Sequence, residues 1–302
     1  MFHVKLKKME KLEHCNICGK SEFSIYLQTK DFFLTGEEFT IVKCKSCGFL
    51  FVNPRPDANE ISKYYKSEEY ISHSNTKKGL LNKIYHIIRK RNHQKKYEII
   101  SFYKQFGTIL DIGCATGEFL NYLKKQSWET MGVEPDLDAR NYANNEYGLK
   151  VMPETFLNDT SSEKFDVITM WHVLEHVHAL EERVQQIKRL LTKNGIATIA
   201  VPNAGSYDAQ NYGKYWAGYD LPRHIYHFTQ ESIIKLFEKY NFKLDKIVPM
   251  KYDAYYISML SEKYKTGSRN LLKAFWTGYK SNLWAKKNKS NYSSLIFVFK
   301  ND

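Results

Sequence analysis

The chain reads as an α/β protein in which helices cover both faces of a mostly parallel sheet, with a small cysteine-bearing module in front. Three observations predict this. From Thr108 onward, short apolar runs alternate with stretches of helical period, the pattern of strands buried on both faces. Four of the five cysteines form two tight pairs, Cys15/Cys18 and Cys44/Cys47, ahead of that region. With 302 residues and 43% hydrophobic content, the chain is long enough for a sizeable core and one smaller unit.

Met1 to His14 is rich in Lys and Glu and holds no apolar stretch of the signal-peptide kind. No apolar run is long enough to span a bilayer, so a soluble, cytoplasmic protein is expected. Residues 15 to 48 predict short strands between two Cys-x-x-Cys-Gly turns, and Asn53-Pro54-Arg55-Pro56 ends a module over 1–56. A helical linker is expected over 57–106, where Leu80, Ile84 and Ile87 share one stripe and Leu81, Tyr85 and Ile88 the next.

The main domain is assigned to 107–302. Thr108 to Gly113 is its first strand, and the following helix turns Phe119, Tyr122 and Leu123 inward. Trp128 to Glu134 is the second strand, with a helix from Asp136 to Tyr147. Phe165 to Trp171 is a buried strand, and Leu180, Val184, Ile187 and Leu191 form a helical stripe closed by Asn194-Gly195. After the strand Ile196 to Val201, Thr229 caps a helix carrying Ile233, Leu236, Phe237 and Tyr240. Phe242 to Val248 and Ser294 to Phe299 supply the last strands. An aromatic segment (203–228) and a basic helical insertion (253–290) lie between these elements.

The formal charge of +12 is unevenly spread. Lys77 to Phe106 carries nine Lys/Arg against one acid, and Lys263 to Ser290 carries eight against none. These two segments hold more than the whole excess, so the core is not itself basic. Solvated helical faces are the first reading of such runs.

In Leu110-Asp111-Ile112-Gly113-Cys114-Ala115-Thr116-Gly117 a strand ends, the chain turns sharply and a helix begins. Glycine is needed where backbone approaches a ligand, and a helix N-terminus offers N–H groups to an anion. The dinucleotide fingerprint wants glycine where Asp111 stands, and a carboxylate repels a pyrophosphate. The same carboxylate attracts the ammonium and sulfonium of S-adenosylmethionine, whose methionine carboxylate suits the helix end. Glu134 ends the next strand, where an acid can accept both ribose hydroxyls. Asn158 and Asp159 lie where a side chain can meet the adenine amino group.

The two cysteine turns, Cys15-Asn16-Ile17-Cys18-Gly19 and Cys44-Lys45-Ser46-Cys47-Gly48, can present four thiolates to a tetrahedral zinc. Each following glycine permits the positive φ that such turns require. Neither pair sits on a strand-to-helix turn, which disfavours redox chemistry. With all four positions filled, a structural zinc is expected.

Leu110 to Leu120, Gly132-Val133-Glu134-Pro135, and Phe165 through Trp171-His172-Val173-Leu174-Glu175-His176-Val177 resemble successive motifs of the class I S-adenosylmethionine-dependent methyltransferases. The likeness spans residues 105 to 250 and is greatest to the small-molecule branch that holds the ubiquinone O-methyltransferases. It implies a Rossmann-like, seven-stranded sheet with an antiparallel last strand. It also implies cofactor contacts from Asp111, Gly113, Gly117, Glu134 and the strand end at Trp171-His172, with Cys114, Ala115, Pro135 and Asp159 in the same set. A zinc module ahead of such a core resembles the deoxysugar C-methyltransferases. The chain ends after its last expected strand, without their additional C-terminal domain, so a glycan, quinone-like or lipid-linked acceptor stands beside a sugar.

Methyl transfer is an in-line displacement that needs alignment and, for a hydroxyl or acidic carbon, a base. Histidine suits that role near neutral pH. His172 and His176 follow a strand at the expected ligand edge, and His224 and His227 lie in Asp220 to Phe228. His176 reads as structural, leaving His224, His227 and His172 as base candidates. Tyr207, Tyr212, Tyr215, Trp216, Tyr219 and Tyr226, interspersed with glycines, can close over an acceptor or pack the segment down. Tyr65 and Tyr70 are expected to reach the methionine end of the cofactor. The leading expectation is methylation of a small-molecule hydroxyl. A nucleic-acid partner using the zinc module and basic segments is the less favoured alternative, and a cofactor-binding scaffold without turnover is a third.

Overall fold

The computed structural model describes residues 8–65, 80–159, 163–268 and 270–301, with backbone alone for 80–90. The N-terminal part contributes β1 (Met9–Glu10), β2 (Phe23–Lys30), β3 (Glu38–Cys44), β4 (Leu50–Val52) and β5 (Arg55–Pro56). A long helix, α1 (Leu80–Ser101), leads to β6 (Thr108–Ile112), α2 (Glu118–Lys124), β7 (Glu129–Val133), α3 (Leu137–Tyr147) and β8 (Lys150–Met152). Then come β9 (Phe165–Trp171), α4 (Leu180–Leu190), β10 (Leu191–Pro202), α5 (Tyr207–Tyr212), β11 (Tyr226–His227) and α6 (Gln230–Glu238). β12 (Phe242–Pro249), α7 (Asp253–Thr266), α8 (Leu271–Lys287) and β13 (Ser294–Asn301) complete the chain.

The large sheet has seven strands in the order β12-β13-β10-β9-β6-β7-β8. β13 runs antiparallel to both neighbours, and the other pairs are parallel. This is the Rossmann-like architecture expected, with β8 as a three-residue edge strand that the sequence pattern did not reveal. Local chemistry sets the helix ends. Asp136 accepts from the Ala139 amide at 2.8 Å to start α3, Gly148 ends it in the left-handed region, and Thr229 with Ser232 forms a capping box on α6. Asn194-Gly195 does not close α4. The helix stops at Leu190, because Leu191 already pairs with Phe165 in the sheet, and Asn194 (φ 64°) falls in a register shift before Ile196.

The second sheet, β11-β4-β3-β2, joins the N-terminal part to the aromatic segment. Tyr226 and His227 of β11 pair with Phe51 and Leu50 of β4. One buried cluster unites Cys15, Ile17, Cys44, Phe49 and Phe51 with Tyr226, Phe228 and the large-sheet residues Ile112, Met170 and Val201. Another packs Phe39, Ile41 and Val52 against Tyr212, Trp216 and Tyr219. Packing is therefore what Tyr212, Trp216, Tyr219 and Tyr226 do, each at most 3% exposed, while Tyr207 and Tyr215 are half-buried.

Two buried arginines lock this seam. Arg223 donates to Asp31 (3.0 Å), to both oxygens of Asp220 and to the Tyr64 carbonyl. Arg55 donates to Glu10, to the Tyr226 hydroxyl and to the His178 carbonyl. Breaking the fully buried Arg223–Asp31 pair costs about 3–5 kcal/mol, because the remaining partner is left charged without compensation.

Candidate functional site

The chain leaves β6 toward β7 on one side and returns to β9 on the other. Such a switch point opens a crevice at the carboxyl ends of the strands. The glycine loop lies at one lip and Trp171-His172 at the other. Gly113 and Gly117 adopt φ of 77° and 75°, and Ala115 between them 47°. A Cβ on Gly113 would come within 2.4 Å of Val173 Cγ2. Gly113→Ala is therefore expected to lose about 2 kcal/mol or more of stability, from left-handed strain plus overpacking. Urea denaturation measures this loss, and an unchanged midpoint would show the loop to be tolerant.

Asp111 is 2% exposed and accepts from the Thr169 hydroxyl at 2.5 Å. Burial pushes its carboxyl up to about 6 against the pull of Thr169 and Lys96. Lys96, on α1, lies 4.3 Å from the Trp171 ring centre and 5.2 Å from that of Phe119. Burial brings its ammonium down to about 8, with Asp111 and Asp253 opposing. Lys96 and Asp111 thus attract one another, while burial disfavours the charge on both. Sequence reasoning missed Lys96, which looked like one more charge in a basic helix; its only signal was the apolar surroundings created by folding.

Glu134 accepts from the amides of Ala115 (2.9 Å) and Asp136 (3.0 Å), one on each oxygen. Each oxygen keeps a second lone pair for a ligand hydroxyl. Burial holds its carboxyl above the ordinary range. Pro135 is exposed beside it, and Cys114 is buried beneath the loop. Asn158 and Asp159 are exposed, and Asn158 Oδ1 accepts from Gln186 at 2.7 Å.

Beyond β9 the histidines converge. His172, at φ 56°, places Nδ1 3.5 Å from Glu175 and Nε2 3.3 Å from Asp253 of α7. Burial opposes its charge, yet the two carboxylates raise it to about 10, so it is an imidazolium at neutral pH. Glu175 is 1% exposed, and neither oxygen has a close hydrogen-bond partner among the described residues. His224 Nε2 stands 4.0 Å from both Glu175 and Asp220, while its Nδ1 meets the Gly218 carbonyl at 2.9 Å. A carbonyl only accepts, so Nδ1 carries a proton, and Nε2 is turned toward the two carboxylates.

His176 faces the Arg223 carbonyl at 3.0 Å and the Tyr65 hydroxyl at 2.8 Å, and burial with His224 nearby brings it down to about 4. Tyr65 thus reaches this histidine cluster, and Tyr70 lies outside the described residues. His227 is 3% exposed, and burial keeps it neutral. Glu175, His176 and His224 bring ligand atoms within 4.8 Å of one another, a set able to hold a proton or a cation.

Beside the C-terminal end of β3, Cys15, Cys18, Cys44 and Cys47 gather their sulfurs within 4.8 Å of one another. Cys15 and Cys47 are 3.5 Å apart, Cys18 and Cys44 3.6 Å. Tetrahedral thiolates around a zinc at ~2.3 Å sit about 3.8 Å apart, so the set fits that ion. Gly19 and Gly48 take the positive φ that the turns require, at 72° and 78°.

A ubiquinone biosynthesis O-methyltransferase of Glaesserella parasuis serovar 5 (strain SH0165) is 31% identical over 106 residues, covering 32% of this chain and 45% of the relative. An uncharacterized methyltransferase of Alkaliphilus oremlandii (strain OhILAs) is 29% identical over 101 residues, covering 32% of this chain and 46% of the relative. The chain thus spans less than half the length of these curated relatives. The crystal structure of magnesium protoporphyrin IX methyltransferase from Synechocystis PCC 6803, with bound SAH, superposes with a TM-score of 0.54 at 11% identity. It covers 82% of this chain and 100% of that one, a likeness of fold. Among the described residues no helix is long and apolar enough to cross a membrane. Residues 85–247, more than half of the chain, match the methyltransferase domain family, and the protein belongs to that family.

Proposed function

We propose that the protein transfers a methyl group from S-adenosylmethionine to a hydroxyl of a small-molecule acceptor. The observation that carries this reading is the buried carboxylate of Asp111, fixed by Thr169 on the strand that leads into the glycine loop. A pyrophosphate would be repelled there, whereas an ammonium or sulfonium is drawn in.

When bound, the cofactor supplies an electrophilic methyl group. Asp111 would hold its ammonium, Glu134 its ribose hydroxyls, and Asp159 with Asn158 its adenine amino group. Gly113, Cys114, Ala115, Gly117 and Pro135 would give the loop its close approach. α2 has only seven residues, so Lys96 is the better partner for the methionine carboxylate. Trp171 and His172 would line the methyl-bearing end. Of the three candidate bases, His224 is favoured, because its Nδ1 is held by the Gly218 carbonyl and its side chain is still 13% exposed. Glu175 and Asp220 would stabilise its charge after it takes the acceptor proton. His172 already carries a proton, and His227 would shape the floor. The four cysteines would hold a structural zinc.

Two measurements test the proposal. Calorimetry of the zinc-loaded protein with S-adenosylhomocysteine should show binding, and no binding by folded protein ends the reading. His224→Gln should lower kcat by about 10²–10⁴ while leaving S-adenosylhomocysteine affinity unchanged, as for loss of a general base. A variant as active as the parent would move the base elsewhere.

A further inference from the structure

The helix α8 is amphipathic in the reverse of the usual sense. Its buried face is made of Ala274, Thr277, Gly278, Ser281 and Ala285. Small residues are needed there because α7 lies close: a Cβ on Gly278 would come within 3.0 Å of the Tyr255 backbone. Ser281 also donates to the buried Asp208 carboxylate at 2.7 Å. The large apolar side chains point the other way. Leu271, Leu272, Phe275, Trp276, Tyr279 and Leu283 are 42–78% exposed. The order 272, 276, 279, 283 is one helical stripe. The rings of Phe275, Trp276 and Tyr279 touch in sequence, with centroids 6.0 and 5.9 Å apart.

A stable surface helix ordinarily hides its leucines and shows its small polar residues. Charge says what covers this face. Lys263 to Ser290 carries eight Lys/Arg and no acid, with Lys280, Lys286 and Lys287 exposed on α8 itself. A second copy seated here would bring the same positive charge against it. An anionic lipid surface matches both features: leucines and aromatic rings enter the headgroup boundary, while lysines meet the phosphates. We propose that the exposed face of α8 docks the protein on an anionic membrane surface. The helix pair is fastened to the cleft through the Asp253–His172 contact at 3.3 Å, so docking holds the cleft beside the bilayer. The inference does not depend on the methyl-transfer reading.

The test is flotation of the full, zinc-loaded chain with vesicles of phosphatidylcholine alone or of equal parts phosphatidylcholine and phosphatidylglycerol. Binding should be roughly tenfold or more stronger to the anionic vesicles and should weaken with salt. The triple variant Leu272→Gln, Trp276→Gln, Leu283→Gln should lose most of that binding. Its side chains face solvent, so its thermal midpoint and S-adenosylhomocysteine response should match the parent's. Three outcomes would overturn the proposal: no binding to anionic vesicles at low salt, equal binding by a folded triple variant, or a dimer in sedimentation velocity that the triple variant abolishes.

Discussion

Asp111→Asn is expected to weaken S-adenosylmethionine binding by roughly ten- to a hundredfold, the effect of removing a charged hydrogen-bond partner worth about 1.5–3 kcal/mol. The side chain is buried, so solvent does not dilute the loss. Its titration gives a second signature. Burial pushes the Asp111 carboxyl up to about 6 in the free protein, and only the ionised form attracts a cation. Affinity should be full above that value and fall as the pH drops through it, with a proton released on binding. The asparagine variant should lose that component of the pH profile. Calorimetry at pH 5 and pH 8 on both proteins checks the pair of claims. Equal dissociation constants for the two proteins at pH 8 would remove Asp111 from the cofactor site.

The other large effect is expected from the zinc cluster. Structural zinc is worth about 10–16 kcal/mol of apparent binding free energy in small zinc modules, and there it is folding free energy. In this chain, loss of a zinc held by the four cysteines would reach farther than the module. Cys15 and Cys44 share a buried cluster with Tyr226 and Phe228, and β11 is the edge strand of the sheet that the cysteine turns support. Cys44→Ser, or a strong chelator, should lower the thermal midpoint and abolish methyl transfer. S-adenosylhomocysteine binding should survive better, because Asp111 and Glu134 stand on the other sheet. Metal content by mass spectrometry, read with the melting curve, checks this. A fully active protein without metal would reduce the cluster to an ornament of the fold.

Much of the fold was legible because strand ends and turns carry strong local signals. The glycine loop, Glu134 before a proline and the capping Asp136 and Thr229 all depend on chemistry within a few residues. What escaped was set by distant partners. β8 is only three residues long and exists because Met131 to Val133 offers an edge to pair with. Asn194-Gly195 looked like a helix stop, but Leu191 pairs with Phe165 four residues sooner than the helix signal ends. Lys96 looked like a solvated charge until Trp171 and Phe119 folded against it. Glu175 and His224 lie 49 positions apart, and only the return of the chain after α5 brings them within 4.0 Å. In α8 the lysines suggested a wet face, while the decisive pattern was the small residues between them.

The small sheet also sets a schedule. Its strands β2 to β4 are finished by Val52, yet the edge strand that completes them is Tyr226–His227. During synthesis, the cysteine turns emerge early and must wait for more than 170 further residues before Phe49 and Phe51 are covered by Tyr226 and Phe228. Loop closure over that span is slow compared with local pairing. Until it occurs, apolar surface on the nascent chain stays open to aggregation or to a chaperone. Early occupancy of the thiolates by a metal would hold the first strands in register through that interval, giving such an ion a part in biogenesis as well as in the finished fold.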